Sequence, residues 1–284
     1  MRAQITLTSI ESKKLVARAV ASMDPVRRAM REGLIVIHPS STTLFIVEEL
    51  TGKRPEGLWA CGVVFPRGMC VSWERQKALY LKPPAEKSDA GQFPFSWVLD
   101  KEVFKTGLTL YSLFERMGKE DVYIKGVNAI DPEGNAGVLY ASLGGGTISK
   151  VLAASRKKEF AVILPSGLEK MIPTPISRAA KAASQDKTDL AMGIPVGLLP
   201  VPGTVVTEIE AFRLLSGAEA TIIAAGGMGG AEGAISLVIQ GPDEKVRRDF
   251  ELAKEVKGAA LPEIRRPDCS ICFFPTCHFK RQPH

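Results

Sequence analysis

The sequence predicts an α/β fold, a Rossmann-type sheet covered by helices on both faces. Three observations carry that expectation. The runs LIVI at 34–37 and AVIL at 161–164 lack polar alternation, as parallel strands buried on two faces do. Segments with helical spacing alternate with such runs. Glycine, proline and small hydroxyl residues mark the changeovers.

The elements follow in order. Ile5 to Leu7 is a short strand. Thr8-Ser9-Ile10-Glu11 has the spacing of a capping box. Leu15, Val16, Ala19 and Val20 then form a helical stripe. Asp24-Pro25 starts a second helix that ends near Gly33. Leu34 to His38 is a strand, Ser40 to Thr43 a polar turn, and Leu44 to Leu50 a helix closed by Gly52. Residues 58–82 read as β-like, 83–96 as a loop, and Phe104 to Met117 as a helix. Val122 to Lys125 is a strand, followed by the turn GVNAIDPEGNAG, the strand VLYAS, a glycine run and a helix from Ile148 to Ser155. Phe160 to Leu164 is a further strand.

The second half reads differently. Val196 to Val201 and Val205-Val206 are strand-like, and Glu208 to Leu215 is a helix closed by Gly217. Ala220 to Ala225 pairs with Ala234 to Ile239 across GGMGGAEG. Pro242-Asp243 opens a helix that runs through Val256 and is closed by Gly258. This β-α-β-β-α order resembles a ferredoxin-like α+β module. The expected organisation is an α/β domain over 1–180, a smaller ferredoxin-like domain over 195–260 and a Cys-rich tail over 261–284, with the boundary near 175–195.

Composition bounds the function. With 284 residues, 45% hydrophobic and 24% charged, the chain is neither disordered, collagen-like nor a coiled coil. A net charge of +6 suits a small anionic ligand and does not point to nucleic acid. Aromatics at 7% argue against a base-stacking platform. The start MRAQITLT lacks the shape of a signal peptide. Ala220 to Ile239 is broken by glycines and reads as a hairpin, so no membrane association is expected. Cys61 and Cys70 stand alone among apolar neighbours and read as core residues. With no even disulfide framework, a reducing cytoplasm is the expected location.

Two segments, IVIHPSSTTLFIVEEL and LYASLGGGTISKVLAA, end a buried strand in small residues and then begin a helix. A helix N-terminus presents unpaired N–H groups and the positive dipole end, which suits a phosphate or carboxylate. Ser40, Ser41, Thr42 and Thr43, and Gly144, Gly145, Gly146 and Thr147, are therefore candidate ligand residues. Plain N-caps and tight packing are the competing readings. His38, between strand and Pro39, reads as a hydrogen-bonded structural histidine more readily than as a base. The loop GGMGGAEG is a candidate for closing over a neighbouring site or meeting a partner.

The Ser40–Thr43 turn, KGVNAID at 125–131, GGGT at 144–147 and AVILPSGLEK at 161–170 occur in that order. In order and spacing the chain resembles the NagB/RpiA/CoA-transferase-like superfamily, which includes ribose-5-phosphate isomerase A and DeoR-type sugar-sensing domains. The resemblance spans about residues 15–175. It implies a sugar-phosphate or acyl ligand, with Asn128 and Asp131 toward hydroxyls and Lys125 or Lys170 supplying positive charge. For Asp131 the alternative is turn shaping, and for Lys170 a solvated helix position. The chain departs from the isomerase pattern where Lys125 and Asn128 stand in place of acidic residues. Leu143 replaces the lysine before the glycines, and ISKVLAA has no glutamate. Pentose phosphate isomerisation is therefore not expected, since it needs a carboxylate base.

The tail PDCSICFFPTCHF places Cys269, Cys272 and Cys277 at C-x2-C-x4-C, with His278 adjacent. A C-x2-C turn lets two thiolates share one centre, so zinc or an iron–sulfur cluster is the expected cofactor. Cys277 and His278 are strained as joint ligands, so a second chain or another protein is an alternative donor. A redox dithiol and a tail without a role are the competing readings. Two function classes result. One is a ligand-binding protein, with or without chemistry. The other is a regulatory or assembly protein with a relic pocket, acting through its tail on a protein partner or as a homo-oligomer.

Overall fold

The computed structural model describes residues 1–55, 61–81, 96–184, 186–272, 274 and 276–281. From the N-terminus run β1 (Arg2–Leu7), α1 (Ser9–Ser22), α2 (Asp24–Glu32), β2 (Leu34–Ile37) and α3 (Ser41–Thr51). Then come β3 (Cys61–Phe65), β4 (Gly68–Val71), α4 (Trp73–Leu81), β5 (Trp97–Asp100), β6 (Val103–Lys105) and α5 (Leu110–Arg116). Next are β7 (Val122–Ile124), β8 (Ala129–Ile130), β9 (Ala136–Tyr140), α6 (Gly146–Lys158), β10 (Ala161–Pro165) and α7 (Ile176–Ala182). The last are β11 (Gly197–Val201), β12 (Thr204–Val206), α8 (Glu208–Leu215), β13 (Glu219–Gly226), β14 (Ala234–Gln240) and α9 (Asp243–Glu255).

The chain is mixed α/β. A six-stranded sheet has the order β12-β10-β7-β2-β5-β6. Its first four strands are parallel, and β5 and β6 add on antiparallel. β2 and β7 are buried at every position, as their unbroken apolar sequence requires. α1 packs between α3 and α8 and touches β10 and β12. The Leu15, Val16, Ala19 and Val20 stripe is fully buried there. The expected capping box at its start is formed, with Thr8 accepting from Glu11 N–H and Glu11 accepting from Thr8 N–H.

The strands expected in a ferredoxin-like unit are shared among three sheets. β11 pairs with β9, β12 extends the six-stranded sheet, and β13 and β14 pair with each other and with β1. The N-terminal strand β1 therefore shares a sheet with β13 and β14 of the second half. β8 joins β9 on its other side, and β3 and β4 form a separate hairpin.

Two expectations are corrected. Residues 73–81 are helix rather than β-like. Ser72 starts it, its carbonyl accepting from Gln76 N–H, and the following WERQKALYL is rich in good helix formers. Phe104 belongs to β6, and helix begins only at Leu110, after Thr109 accepts from Ser112 N–H. The 175–195 boundary contains α7, which Asp131 anchors. The loop expected at 83–96 lies outside the described residues except for Ser96. Among the described residues, no helix is long and apolar enough to cross a membrane.

Candidate functional site

The parallel strands β2, β7 and β10 end on the same side of the sheet, where open α/β sheets form their ligand crevice. His38 follows β2, Lys125 follows β7, and Glu169 and Lys170 follow β10 in a short turn of 3-10 helix. Two adjoining cavities, of about 250 and 460 Å³, open there and share His38, Gly62 and Lys125 in their walls.

Each expected loop supplies one cavity. Ser40 and Ser41 line the larger one. Thr42 and Thr43 are buried in the first turn of α3 instead. The Ser40 hydroxyl caps α3 by accepting from Thr43 N–H at 3.2 Å, and Thr43 Oγ1 donates to the His38 carbonyl at 2.7 Å. Ser40 is thus the N-cap of α3, and Thr43 braces the turn behind it. Gly145, Gly146 and Thr147 line the smaller cavity. Gly145 and Gly146 have φ of 84° and 61°, and a Cβ on Gly145 would lie 2.9 Å from Ser149 Cβ. Glycine is required there to turn the chain into α6. Gly144 shares the left-handed backbone, but open space surrounds it.

The polar groups divide into ligand-facing and structural sets. Arg75, Lys125, Lys13 and Lys170 line the two cavities against the carboxylate of Glu169. Lys13 and Glu169 pair at 2.9 Å. Lys170 Nζ donates to the Val127 carbonyl at 2.7 Å. Burial pulls the Lys170 ammonium down to about 8, with Glu169 opposing the shift. Burial thus makes this ammonium easier to deprotonate than an exposed lysine. His38 is driven well below the usual imidazole range by burial and by Lys125. Its Nδ1 shares a 3.3 Å hydrogen bond with the Tyr123 hydroxyl. His38 stays neutral at physiological pH, which fits the structural reading.

Asn128 lines the larger cavity, yet both ends of its amide are engaged. Nδ2 donates to the Gly62 carbonyl at 2.8 Å, and Oδ1 accepts from Leu139 N–H at 3.0 Å. It ties β3 to β9. Asp131 lines neither cavity. Its carboxylate accepts from Asn135 N–H and Nδ2 and from Ile176 N–H. Burial opposes its charge, but the Ile176 and Asn135 donors hold its carboxyl below the usual range. It shapes the turn and anchors α7. Asp131→Ala leaves the buried Ile176 N–H without its acceptor and frees the two part-buried Asn135 donors, and is expected to cost about 1–2 kcal/mol in urea denaturation at pH 7. The lowered folded-state pKa makes the stabilisation full above the ordinary aspartate value and lost as pH falls through the folded-state value. An unchanged midpoint at pH 7 would exclude this role.

Lys13 and Glu169 were not among the residues picked from the sequence. Lys13 falls three and seven residues before Val16 and Val20 on the buried face of α1, and a lysine on an apolar face is a readable signal. Glu169 gives the cleft a carboxylate beside the Lys13 ammonium. Gly233, at the base of the GGMGGAEG loop, abuts it, since a Cβ there would lie 3.5 Å from Glu169 Cβ.

No protein-family model matches the chain, and a search of curated proteins gives no match either.

The tail folds back onto the body. Gln76 Nε2 donates to the Asp268 carbonyl and Gln76 Oε1 accepts from Asp268 N–H, both at 2.7 Å. The Arg265 guanidinium lies 4.2 Å from the Trp73 ring centre. His278 N–H donates to the Ala191 carbonyl at 2.9 Å. These contacts bring Cys269, Cys272 and Cys277 to a third cavity, also of about 250 Å³, and Cys70 of β4 lines it with them. Cys70 is half-buried, and its position corrects the expectation of a plain core residue. Burial first, and then the three tail sulfurs, push its thiol up to about 11. His278 is exposed, with its ring edge-on to Phe279, and does not line that cavity. All four cysteines are free thiols. Among the described residues, no three His, Cys, Asp or Glu side chains stand as a ready set for one metal ion.

Proposed function

We propose that the chain binds a small phosphorylated or carboxylated ligand, of the sugar-phosphate or acyl class, in the cleft at the ends of β2, β7 and β10. A NagB/RpiA/CoA-transferase-like scaffold is part of this reading. The observation that carries it is the position of Lys125. It stands where the two cavities join, between the Ser40–Ser41 turn and the Gly145–Thr147 turn. An anion there meets an ammonium group and the free N–H groups at the start of α6. Arg75, Lys13 and Lys170 add positive charge that Glu169 offsets only in part.

Thermal shift against ribose 5-phosphate, other sugar phosphates and acetyl-CoA tests this. A ligand at about a hundred times its Kd adds about 2.7 kcal/mol, a rise of several degrees in Tm. The rise is expected in the wild type, reduced in Ser41→Ala and lost in Lys125→Ala. If no member of the panel raises Tm, or if Lys125→Ala responds like the wild type, the cleft is a relic. The regulatory reading would then take its place.

A further inference from the structure

Cys70 and the three tail cysteines come from places about two hundred residues apart, yet they line one cavity. The chain is built to bring them together. Gly68 and Gly193 let β4 and the 192–194 segment cross at backbone contact, where Met69 N–H donates to Met192 O and Ile194 N–H to Met69 O. Ala191 in turn bridges to Cys277, so one short segment joins Cys70 to the tail. Within the tail, Cys272 N–H donates to Cys269 O at 3.2 Å and Arg281 N–H to the same carbonyl at 2.7 Å, which fixes the C-x2-C turn. Phe65, Pro66, Pro267, Ile194, Phe274 and Phe279 supply an apolar wall.

Among the described residues no three His, Cys, Asp or Glu side chains are placed to hold a single ion, which favours a larger group over zinc. Four thiolates bound to one zinc ion lie about 2.3 Å from it and close on a point. Here the cysteines stand around a cavity of about 250 Å³. A cubane takes Cys₄ ligation with its sulfurs held apart by the cluster's own body. We propose that Cys70, Cys269, Cys272 and Cys277 ligate a [4Fe–4S] cluster, with Cys70 as the ligand that fastens the tail to the body. Cys70 supplies the fourth ligand from within the same chain, and His278 is not required. The step is ligand exchange. A preformed cluster gives up its four external thiolates, which take the four protons the cysteines release, while iron and sulfide keep their oxidation states. The reading is independent of the anion cleft, although Cys70, Ile194 and Phe274 line both cavities.

The test mixes the full chain, without oxygen, with a synthetic [4Fe–4S] cluster carrying 2-mercaptoethanol thiolates, then desalts it. The wild type is expected to keep about four iron and four sulfide per chain and to give a [4Fe–4S] electron paramagnetic resonance signal after dithionite. Cys70→Ser and Cys272→Ser are expected to keep about a tenth of that iron or less, and His278→Ala the full amount. Alkylation of the wild type by iodoacetamide gives a second reading that needs no variant. Cluster loading is expected to protect all four cysteines. Full iron retention by Cys70→Ser, or Cys70 alkylation equally fast with and without cluster, overturns the assignment. So does a wild type that keeps no cluster but takes up one zinc ion per chain in a parallel arm.

Discussion

Gly193→Ala is expected to lower stability by about 3 kcal/mol and to release the tail from β4. Gly193 has φ of 92°, and a Cβ there would lie 2.0 Å from the Met69 carbonyl oxygen and 2.5 Å from Met69 N. Both neighbours are backbone, so no side chain can turn aside. The left-handed backbone accounts for about 1–2 kcal/mol. Opening the crossing breaks the bonds between Met69 and the 192–194 segment, each worth about 1 kcal/mol. Gly134→Ala separates the two terms, because Gly134 has φ of 81° but nothing within 4 Å of the added carbon. It is expected to show the backbone term alone. Chemical denaturation of both variants, with limited proteolysis of the tail, checks this. Equal losses in the two variants would mean that the close approach costs nothing. An intact, protease-resistant tail in Gly193→Ala would mean that the crossing does not hold the cysteines together.

That crossing also marks what the sequence could not reveal. Unbroken apolar runs announced β2, β7 and β10, and the capping box at Thr8 announced α1, because burial on two faces and N-capping are local demands on composition. The two small-residue turns are legible for the same reason, each lying at the end of a strand run, whereas Lys125 enters only through the resemblance. Residues 73–81 read as β-like because Trp73, Leu79 and Tyr80 suit strand and helix alike, although Ser72 offers a helix start. Asp131 and Asn128 were found as polar residues, but their partners at Ile176, Gly62 and Leu139 depend on tertiary pairing. Cys70 carries no spacing signal, since its companions are joined to it only through the backbone contact at Gly68 and Gly193. Residues in the ordered motifs, Ser40, Ser41, Lys125 and Gly145 to Thr147 among them, line the two cavities. The pairing of Glu169 with Lys13 has no such signal, because the packing of α1 brings the two together.

The acidic group behind that pair should govern how stability changes with pH. Glu208 begins α8, and its carboxylate accepts from Leu168 N–H at 2.9 Å in a site closed to solvent. A helix N-terminus favours a negative charge by about 0.3–1 kcal/mol. Burial outweighs it here. Burial, with repulsion from Glu169, pushes the Glu208 carboxyl up to about 7 despite the Leu168 N–H. Lys13 and Lys170 face the same region through Glu169. The folded protein therefore holds a proton on Glu208 between about pH 4.5 and 7 that the unfolded chain has released. By linkage its contribution is fully present below pH 4.5 and falls as pH rises through 7, by on the order of 2–3 kcal/mol. Glu208→Gln keeps an acceptor for Leu168 N–H and cannot ionise. The variant is expected to match the wild type at pH 4.5 and to exceed it at pH 8 by about 2 kcal/mol in urea midpoints scaled by m. Asp249, also raised, to about 6, titrates with the same sign in both proteins and cancels in the comparison. If the gap between the two proteins is the same at both pH values, Glu208 is ionised in the fold throughout, and the Lys13–Glu169–Lys170 group compensates its charge fully.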